Sequence, residues 1–452
     1  MKIKRIELKN FKFHRDLSFD IEAKNCLIYG ENGTGKSSIY EAIYAIFKVY
    51  FRNSDFDFRK FENHLNSELN VKIFVDDTTL SIPEDSYNLP DCVNVDNKNT
   101  IYFMNQNLLE SIALTDNFYL ILDKLLKKYF NTLDDISTKI DTVNIEINES
   151  NYSEQQIIRD ENVKKLTEFL EELAKIANDI ITNHFQEEFI VNFEYDWGFS
   201  NTEDDYKYPK PRITLKIDDK SDLKINFNEA KLKLTSIAIF FALIKLEENR
   251  ENNLKLLVLD DFLTSLDMAN RHYIIEYIFD EFKDYQKIIL THNLQFYNLI
   301  FKFLKSRNEL GEWDNKNIFI RNIDDIEESI IYDKMNNYIE IAQTNLDEDN
   351  LEISGLYLRK EFERIIEELR QIREVGAKEK LSNIIEELSK QEDSEDINLK
   401  KMQNVLSKTR FYQQVTLHPM AHDDITTDRY RKELDGAIVI LKQLNKYLKA
   451  LS

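Results

Sequence analysis

Residues 30–38 read Gly-Glu-Asn-Gly-Thr-Gly-Lys-Ser-Ser. Their types and spacing suit one task, the cradling of a phosphate. Gly30, Gly35, Lys36 and Ser37 satisfy the pattern G-x-x-x-x-G-K-[ST]. Glycines let successive backbone N–H groups turn inward around an anion with no Cβ in the way. Lys36 is long enough to reach the outer phosphates of a nucleoside triphosphate, and the Ser37 hydroxyl can ligate Mg²⁺. The candidate nucleotide-binding residues are Gly30, Asn32, Gly33, Thr34, Gly35, Lys36, Ser37 and Ser38.

The flanking segments read as the elements such a loop needs. Asn25-Cys26-Leu27-Ile28-Tyr29 is a short apolar run that predicts a buried strand. Ser38 to Phe47 predicts a helix whose N-terminus faces the anion. Much later, Leu256-Leu257-Val258-Leu259 runs into Asp260-Asp261. Asp260 is placed to hold Mg²⁺, and Asp261 to polarise an attacking water. Lys287 to Thr291 is another apolar strand, and His292 after it is placed to sense the terminal phosphate. Gln106 follows a third strand and offers a ligand for metal or water. Taken singly, a strand ending in two aspartates can be a plain turn, and a lone histidine is commonly structural. The order of the segments is what gives them weight.

That order resembles the ATP-binding-cassette (ABC) ATPase heads of the RecF and SMC group. Ser265-Leu266-Asp267 resembles their D-loop, Gln106 their Q-loop residue, and His292 their switch histidine. Met1 to Phe11 alternates like an edge strand, similar to the strand that opens those proteins. The resemblance implies ATP and Mg²⁺ as cofactors. It also implies a homodimer or higher oligomer in which two heads sandwich two nucleotides and complete each other's sites. Two departures stand out. The usual Asp-Glu pair is Asp260-Asp261 here, which implies slow hydrolysis. The usual Leu-Ser-Gly-Gly-Gln signature is replaced by Phe227-Asn228-Glu229-Ala230-Lys231-Leu232, with Asn228 where the serine would sit.

The chain of 452 residues has room for two or three domains, and its net charge of −22 argues against a broadly basic nucleic-acid surface. A local groove for RNA or DNA stays open. Cys26 and Cys92 can make neither a disulfide framework nor a zinc site. The N-terminus lacks a secretory pattern, and the apolar stretch near Thr235–Leu246 is too short and too interrupted to span a bilayer. A cytoplasmic protein without a membrane partner is expected.

The expected fold class is α/β: a RecF/SMC-like P-loop ATPase head with a short helical insertion, plus an all-α C-terminal domain. Residues 1–107 are read as the N-terminal lobe of the head. Residues 108–186 are read as a helical hairpin, on faces such as Leu122, Leu125, Leu126 and Tyr129, and Leu166, Leu170, Leu173 and Ile176. Residues 187–330 are read as the C-terminal lobe, with strands at Phe189–Tyr195, Ile213–Ile217 and Leu223–Phe227 and a last strand at Asn317–Ile320. Residues 331–452 are read as a helical effector or partner domain.

In that last domain Arg359 and Glu363 lie one helical turn apart, and His422 follows in Leu417-His418-Pro419-Met420-Ala421-His422. The pattern resembles the anticodon nucleases PrrC and RloC, which fuse an ABC-type head to a helical ribonuclease. By that resemblance Arg359 would stabilise a phosphorane, while Glu363 and His422 would move protons at the ribose 2′-OH and the leaving oxygen, with no metal. An Arg–Glu pair at this spacing is equally a surface ion pair. Three functions stay open: a nucleotide-gated defence or stress ATPase acting on tRNA or controlling an effector, a RecF-like DNA-repair or DNA-sensing ATPase, and a nucleotide-switched scaffold for a separate toxin, antitoxin or nuclease.

Overall fold

The strands that carry the candidate residues are buried on both faces, and this sets the architecture. The computed structural model describes residues 2–52, 58–62, 69–82, 100–124, 130–146, 150–198, 211–247, 254–323, 326–333, 338–347, 351–372, 384–387, 405 and 431–451. In chain order these form β1 (Ile3–Phe11), β2 (His14–Asp20), β3 (Asn25–Gly30), α1 (Lys36–Arg52), β4 (Asn70–Val75), β5 (Thr78–Ile82) and β6 (Ile101–Asn105). Then follow α2 (Gln106–Ala113), α3 (Phe118–Lys124), α4 (Asn131–Glu146), α5 (Tyr152–Asp179), β7 (Val191–Asp196), β8 (Arg212–Ile217), α6 (Leu223–Asn226) and α7 (Glu229–Glu247). The first unit closes with β9 (Leu256–Asp260), α8 (Met268–Glu281), β10 (Gln286–Thr291), α9 (Leu294–Ser306), β11 (Trp313–Ile323) and β12 (Ile326–Asp333). The second has α10 (Tyr338–Asp347), α11 (Leu351–Ile372) and α12 (Arg431–Leu451). The two compact units are Met1–Asp333 and Lys334–Ser452.

The central sheet has the order β12-β11-β3-β10-β9-β6, parallel except for β12. Parallel strands need covered faces, and every residue of β9 and β10 is buried. The pleat sends alternate residues of β3 to opposite layers. Cys26 and Ile28 join a core with α1 and the antiparallel sheet β2-β1-β4-β5. Leu27 joins the larger core beneath α2, α7 and α8. Helix α7 crosses that core with Leu232 through Ile244 all buried. Leu166, Leu170 and Leu173 of α5 pack into the same core, with Ile176 half-buried beside it. Gln286, fully buried on β10, ties the two sheets together: its Oε1 accepts from Ile3 N at 2.6 Å and its Nε2 donates to Ile3 O at 2.8 Å.

Three expectations are corrected. β1 is an interior strand, paired with β2 on one side and β4 on the other, because both its neighbours supply antiparallel ladders. Leu223–Asn226 is a helical turn and not a strand, with only Leu223 buried. Alternation over so few residues also fits one turn that buries a single side chain. The strand at Asn317–Ile320 belongs to the longer β11 and is not the last, since β12 folds back on it from Asp333↔Lys316 to Ile326↔Ile323. Leu125, Leu126, Tyr129, Cys92, His418 and His422 lie outside the described residues.

The second unit buries Ile339, Leu346, Leu358, Phe362, Ile365, Leu369, Leu434, Leu441 and Leu444 between α10, α11 and α12. Its charged seam is Glu361, which is fully buried and chelated by Arg364 at 2.8 and 2.9 Å, with Asn445 of α12 bonded to both.

Candidate functional site

Strand register brings the candidate residues to one edge. Tyr29 of β3 pairs with Thr291 of β10, Leu290 pairs with Asp260 of β9, and Asp260 pairs with Asn105 of β6. The C-terminal ends of four parallel strands therefore align, where open α/β sheets bind ligands. The phosphate loop leaves β3, Asp261 and the Ser265–Asp267 turn leave β9, His292 leaves β10, and Gln106 leaves β6.

The loop is shaped for an anion. Gly33 and Gly35 hold φ of +88° and +90°, which side-chain-bearing residues rarely adopt. Gly30 has no room for a Cβ, which would meet Ile318 Cγ2 at 2.3 Å. Asn32, Gly33 and Ser37 are exposed at the rim, while Thr34, Lys36 and Ser38 are buried. Helix α1 opens at Lys36 and adds its N-terminal dipole. The Lys36 ammonium donates to Glu31 O at 2.8 Å, within the loop itself.

Below the loop the charges converge. Asp260 is 6% exposed. Burial first and the neighbouring Asp261 second push its carboxyl up to about 6, against a hydrogen bond from Ser37 and the charge of Lys36. Its Oδ1 is buried without a hydrogen-bond partner. Burial also lowers the Lys36 ammonium, opposed by Asp261 and Asp260. A carboxylate with one orphaned oxygen beside a serine hydroxyl fits Mg²⁺, which is held by one or two protein oxygens together with nucleotide phosphates. No cluster of three or more His, Cys, Asp or Glu that could hold a metal alone occurs among the described residues.

Asp261 sits at φ +46°, in the left-handed region that Asp tolerates better than most residues. Its N–H donates to Leu290 O at 3.0 Å and its Oδ1 accepts the His292 N–H at 2.8 Å. The His292 Nδ1 lies 2.8 Å from the same oxygen but off the line of a hydrogen bond.

Gln106 faces the D-loop turn rather than Asp260. Its Oε1 accepts from Thr264 Oγ1 at 3.2 Å and its Nε2 donates to Glu110 at 2.7 Å. The sequence reading missed what lies across from it. Lys233 on α7, 6% exposed, donates to Thr264 Oγ1 at 3.2 Å and Ser265 Oγ at 3.1 Å. A lysine inside the apolar run of α7 was the available signal. His14 and Ser329, which touch the phosphate loop from behind, were missed as well. Asn228 is exposed and caps α7, accepting from Lys231 N at 2.9 Å, which leaves its amide N–H₂ free to face outward. No hydrogen bond among the described residues joins Asn228 to the phosphate loop of its own chain.

In the second unit Arg359 Nε bonds Glu363 Oε1 at 2.8 Å, and the two side chains are 27% and 46% exposed. The Arg359 Nη1 is buried with no hydrogen-bond partner.

The chain is similar to several known proteins. The family described as RecF/RecN/SMC N terminal domain matches residues 2–309. The DNA replication and repair protein RecF of Chlorobium phaeovibrioides is 48% identical over 44 residues, which is 10% of this chain and 12% of that protein. RecF of Chlorobium luteolum is 43% identical over 44 residues. The matched stretch thus spans 12% of the length of those relatives. Among solved structures, a RecF–ATP structure aligns with 73% of this chain and 99% of its own, at 13% identity and a TM-score of 0.46. An SMC head bound to the C-winged helix domain of ScpA aligns with 74% of this chain and 98% of its own, at 15% identity and a TM-score of 0.41. With the family match covering more than half its length, the chain belongs to the RecF/RecN/SMC N-terminal-domain family and carries that family's ABC-type α/β ATPase head.

Proposed function

We propose that this chain binds ATP with Mg²⁺, hydrolyses it slowly, and pairs with a second copy around the nucleotide to control an effector in bacterial anti-phage defence or a stress response. The observation that carries the ATP reading is the buried Asp260 carboxylate, with one oxygen bonded to Ser37 and the other unpartnered, under a glycine loop. In this reading Lys36 turns from Glu31 O to the phosphates, and Ser37 and Asp260 hold Mg²⁺, which supplies charge neutralisation. Asp261, its carboxylate held by the backbone N–H of His292, orients or deprotonates the attacking water, and the His292 ring senses the terminal phosphate. The aspartate side chain is one methylene shorter than glutamate and is already engaged by the His292 N–H, which supports slow turnover. The N-terminus of α7, with Asn228 at its cap, would meet the nucleotide of the partner head.

The effector is assigned to residues 331–452, in a cytoplasmic setting. One form is a metal-independent tRNA endonuclease built on Arg359, Glu363 and His422. A second form is supported by the i,i+4 ion pair of Arg359 and Glu363, a contact common between surface residues of a helix: a nucleotide-switched scaffold for a separate toxin, antitoxin or nuclease.

Induced expression of wild type, Lys36→Ala and His422→Ala, with cellular tRNA resolved on a gel, separates these forms. Growth arrest with cleaved tRNA in wild type alone is the result expected of the nuclease. Arrest with intact tRNA, or arrest only when a neighbouring gene product is co-expressed, removes the nuclease and leaves the scaffold. Hydrolysis that persists in Lys36→Ala would sink the ATPase assignment.

A further inference from the structure

Two side chains outside the nucleotide-facing rim hold the phosphate loop from behind. Ser329, buried on β12, donates its hydroxyl to the Thr34 carbonyl at 2.8 Å. His14, 1% exposed on β2, places Nε2 2.9 Å from the Gly35 carbonyl. A carbonyl only accepts, so the ring proton belongs on Nε2. Its Nδ1 is buried with no hydrogen-bond partner, as suits the unprotonated nitrogen of a neutral ring. Burial holds the His14 pKa down, at about 4, which keeps that ring neutral. The contact is built around a glycine: a Cβ on Gly35 would come within 2.4 Å of His14 Cε1 and 3.2 Å of Ser329 Oγ.

We infer that Ser329 and His14 are positioning residues for the nucleotide's phosphates, acting through the two peptide units they grip. The inference rests on the ATP-binding reading above. In a trans peptide the carbonyl of one residue and the N–H of the next point in opposite directions. Drawing the Thr34 carbonyl back toward β12 turns the Gly35 N–H to the concave side of the loop. Drawing the Gly35 carbonyl back toward β2 does the same for the Lys36 N–H. These are donors that a phosphate nest requires. The Gly35 carbonyl also accepts from Ser38 N at 3.0 Å and Ile39 N at 3.2 Å, so the first turn of α1 shares in aiming it. The Thr34 carbonyl lies before the helix and does not have that support, so Ser329 carries the larger effect.

The test is ATP affinity and steady-state kinetics of the full chain as wild type, Ser329→Ala, His14→Phe and His14→Gln, with unfolding midpoints in parallel. Ser329→Ala is expected to weaken ATP binding and raise KM by about tenfold, the size of one neutral hydrogen bond. Its kcat should stay within about twofold, because a nest grips phosphates alike in ground and transition states. His14→Phe should shift KM the same way by less, and His14→Gln, which offers an amide N–H, should recover part of that loss. If wild type binds ATP and Ser329→Ala binds it equally well, whatever happens to the unfolding midpoint, the inference is overturned. If His14→Phe fails to fold, Ser329→Ala, which removes one oxygen atom, still decides. A wild type that binds no ATP overturns the ATP-binding reading itself, and this inference with it.

Discussion

His14 shows how one buried side chain writes itself into the pH dependence of the whole head. Its pKa falls from the ordinary 6.5 to about 4, because burial opposes the charged ring more than the bond to Gly35 supports it. Above pH 6.5 the ring is neutral whether the chain is folded or not. Between 6.5 and 4 the unfolded chain takes up a proton that the folded chain refuses, so stability is lost as pH falls through that window. At ~1.4 kcal/mol per pKa unit the full loss is about 3 kcal/mol. Asp260 works in the opposite sense. Its folded pKa is raised to about 6, so its contribution is most favourable at low pH and declines as pH rises toward 6. The two partly cancel in wild type, and the His14→Gln variant isolates Asp260. We expect the urea-unfolding free energy of that variant to rise relative to that of wild type as pH falls from 6.5 to 4. Parallel profiles would show that His14 does not titrate out of register with the unfolded chain.

At the scale of elements, the junction between the two sheets depends on Gln286. It makes three bonds to backbone, to Ile3 N, Ile3 O and Lys24 O, from a fully buried position. Gln286→Leu keeps the volume and leaves buried backbone groups of β1 and the β3 approach unpaired. The expected loss is about 2–4 kcal/mol of unfolding free energy, read as a lowered urea midpoint with unchanged slope. A loss under about 0.5 kcal/mol would mean that water replaces the amide. Gln286 also marks the limit of what local sequence conveys. The apolar run of β10 is legible as a buried strand, and the glycine spacing of residues 30–35 is legible as an anion loop, because both signals are contiguous. That Gln286 bonds to residue 3, or that Ser329 bonds to Thr34, is a contact between distant segments with no periodicity to announce it. The helical turn at Leu223–Asn226 misled for another reason: Leu-Lys-Ile-Asn alternates as a strand would, yet Ile225 is 85% exposed. Arg359 and Glu363 were legible as an ion pair one helical turn apart, but the buried Glu361–Arg364–Asn445 cluster beside them, which joins two helices, needed the fold.

At the scale of the whole molecule, the net charge of −22 separates the readings that share this head. Nonspecific duplex binding draws its free energy from cations that displace counterions around phosphates, and it is steered by the long-range field. An acidic surface repels a duplex within about a Debye length, ~8 Å at physiological salt, beyond which the charges are screened. Many basic groups at the head surface are also already engaged, as Arg307 is by Asp280 and Glu309, and Lys231 by Asp218. A DNA sensor would need a compensating groove, and so would a nuclease that acts on tRNA, whereas a switch that answers to a protein would not. We therefore expect duplex DNA to bind more weakly than about 1 µM at ~0.15 M salt, the tight end of nonspecific binding. We also expect it to leave the ATP hydrolysis rate of the full chain unchanged. Fluorescence anisotropy with a labelled duplex across a salt series, alongside hydrolysis with and without that duplex, measures both. Tight binding that weakens steeply with salt, joined to faster hydrolysis, would place a cationic groove somewhere on this acidic surface and move the DNA-sensing reading ahead of the effector reading. Weak binding with unchanged turnover would leave the nucleotide state itself as the signal, passed on through the second copy and the C-terminal helices.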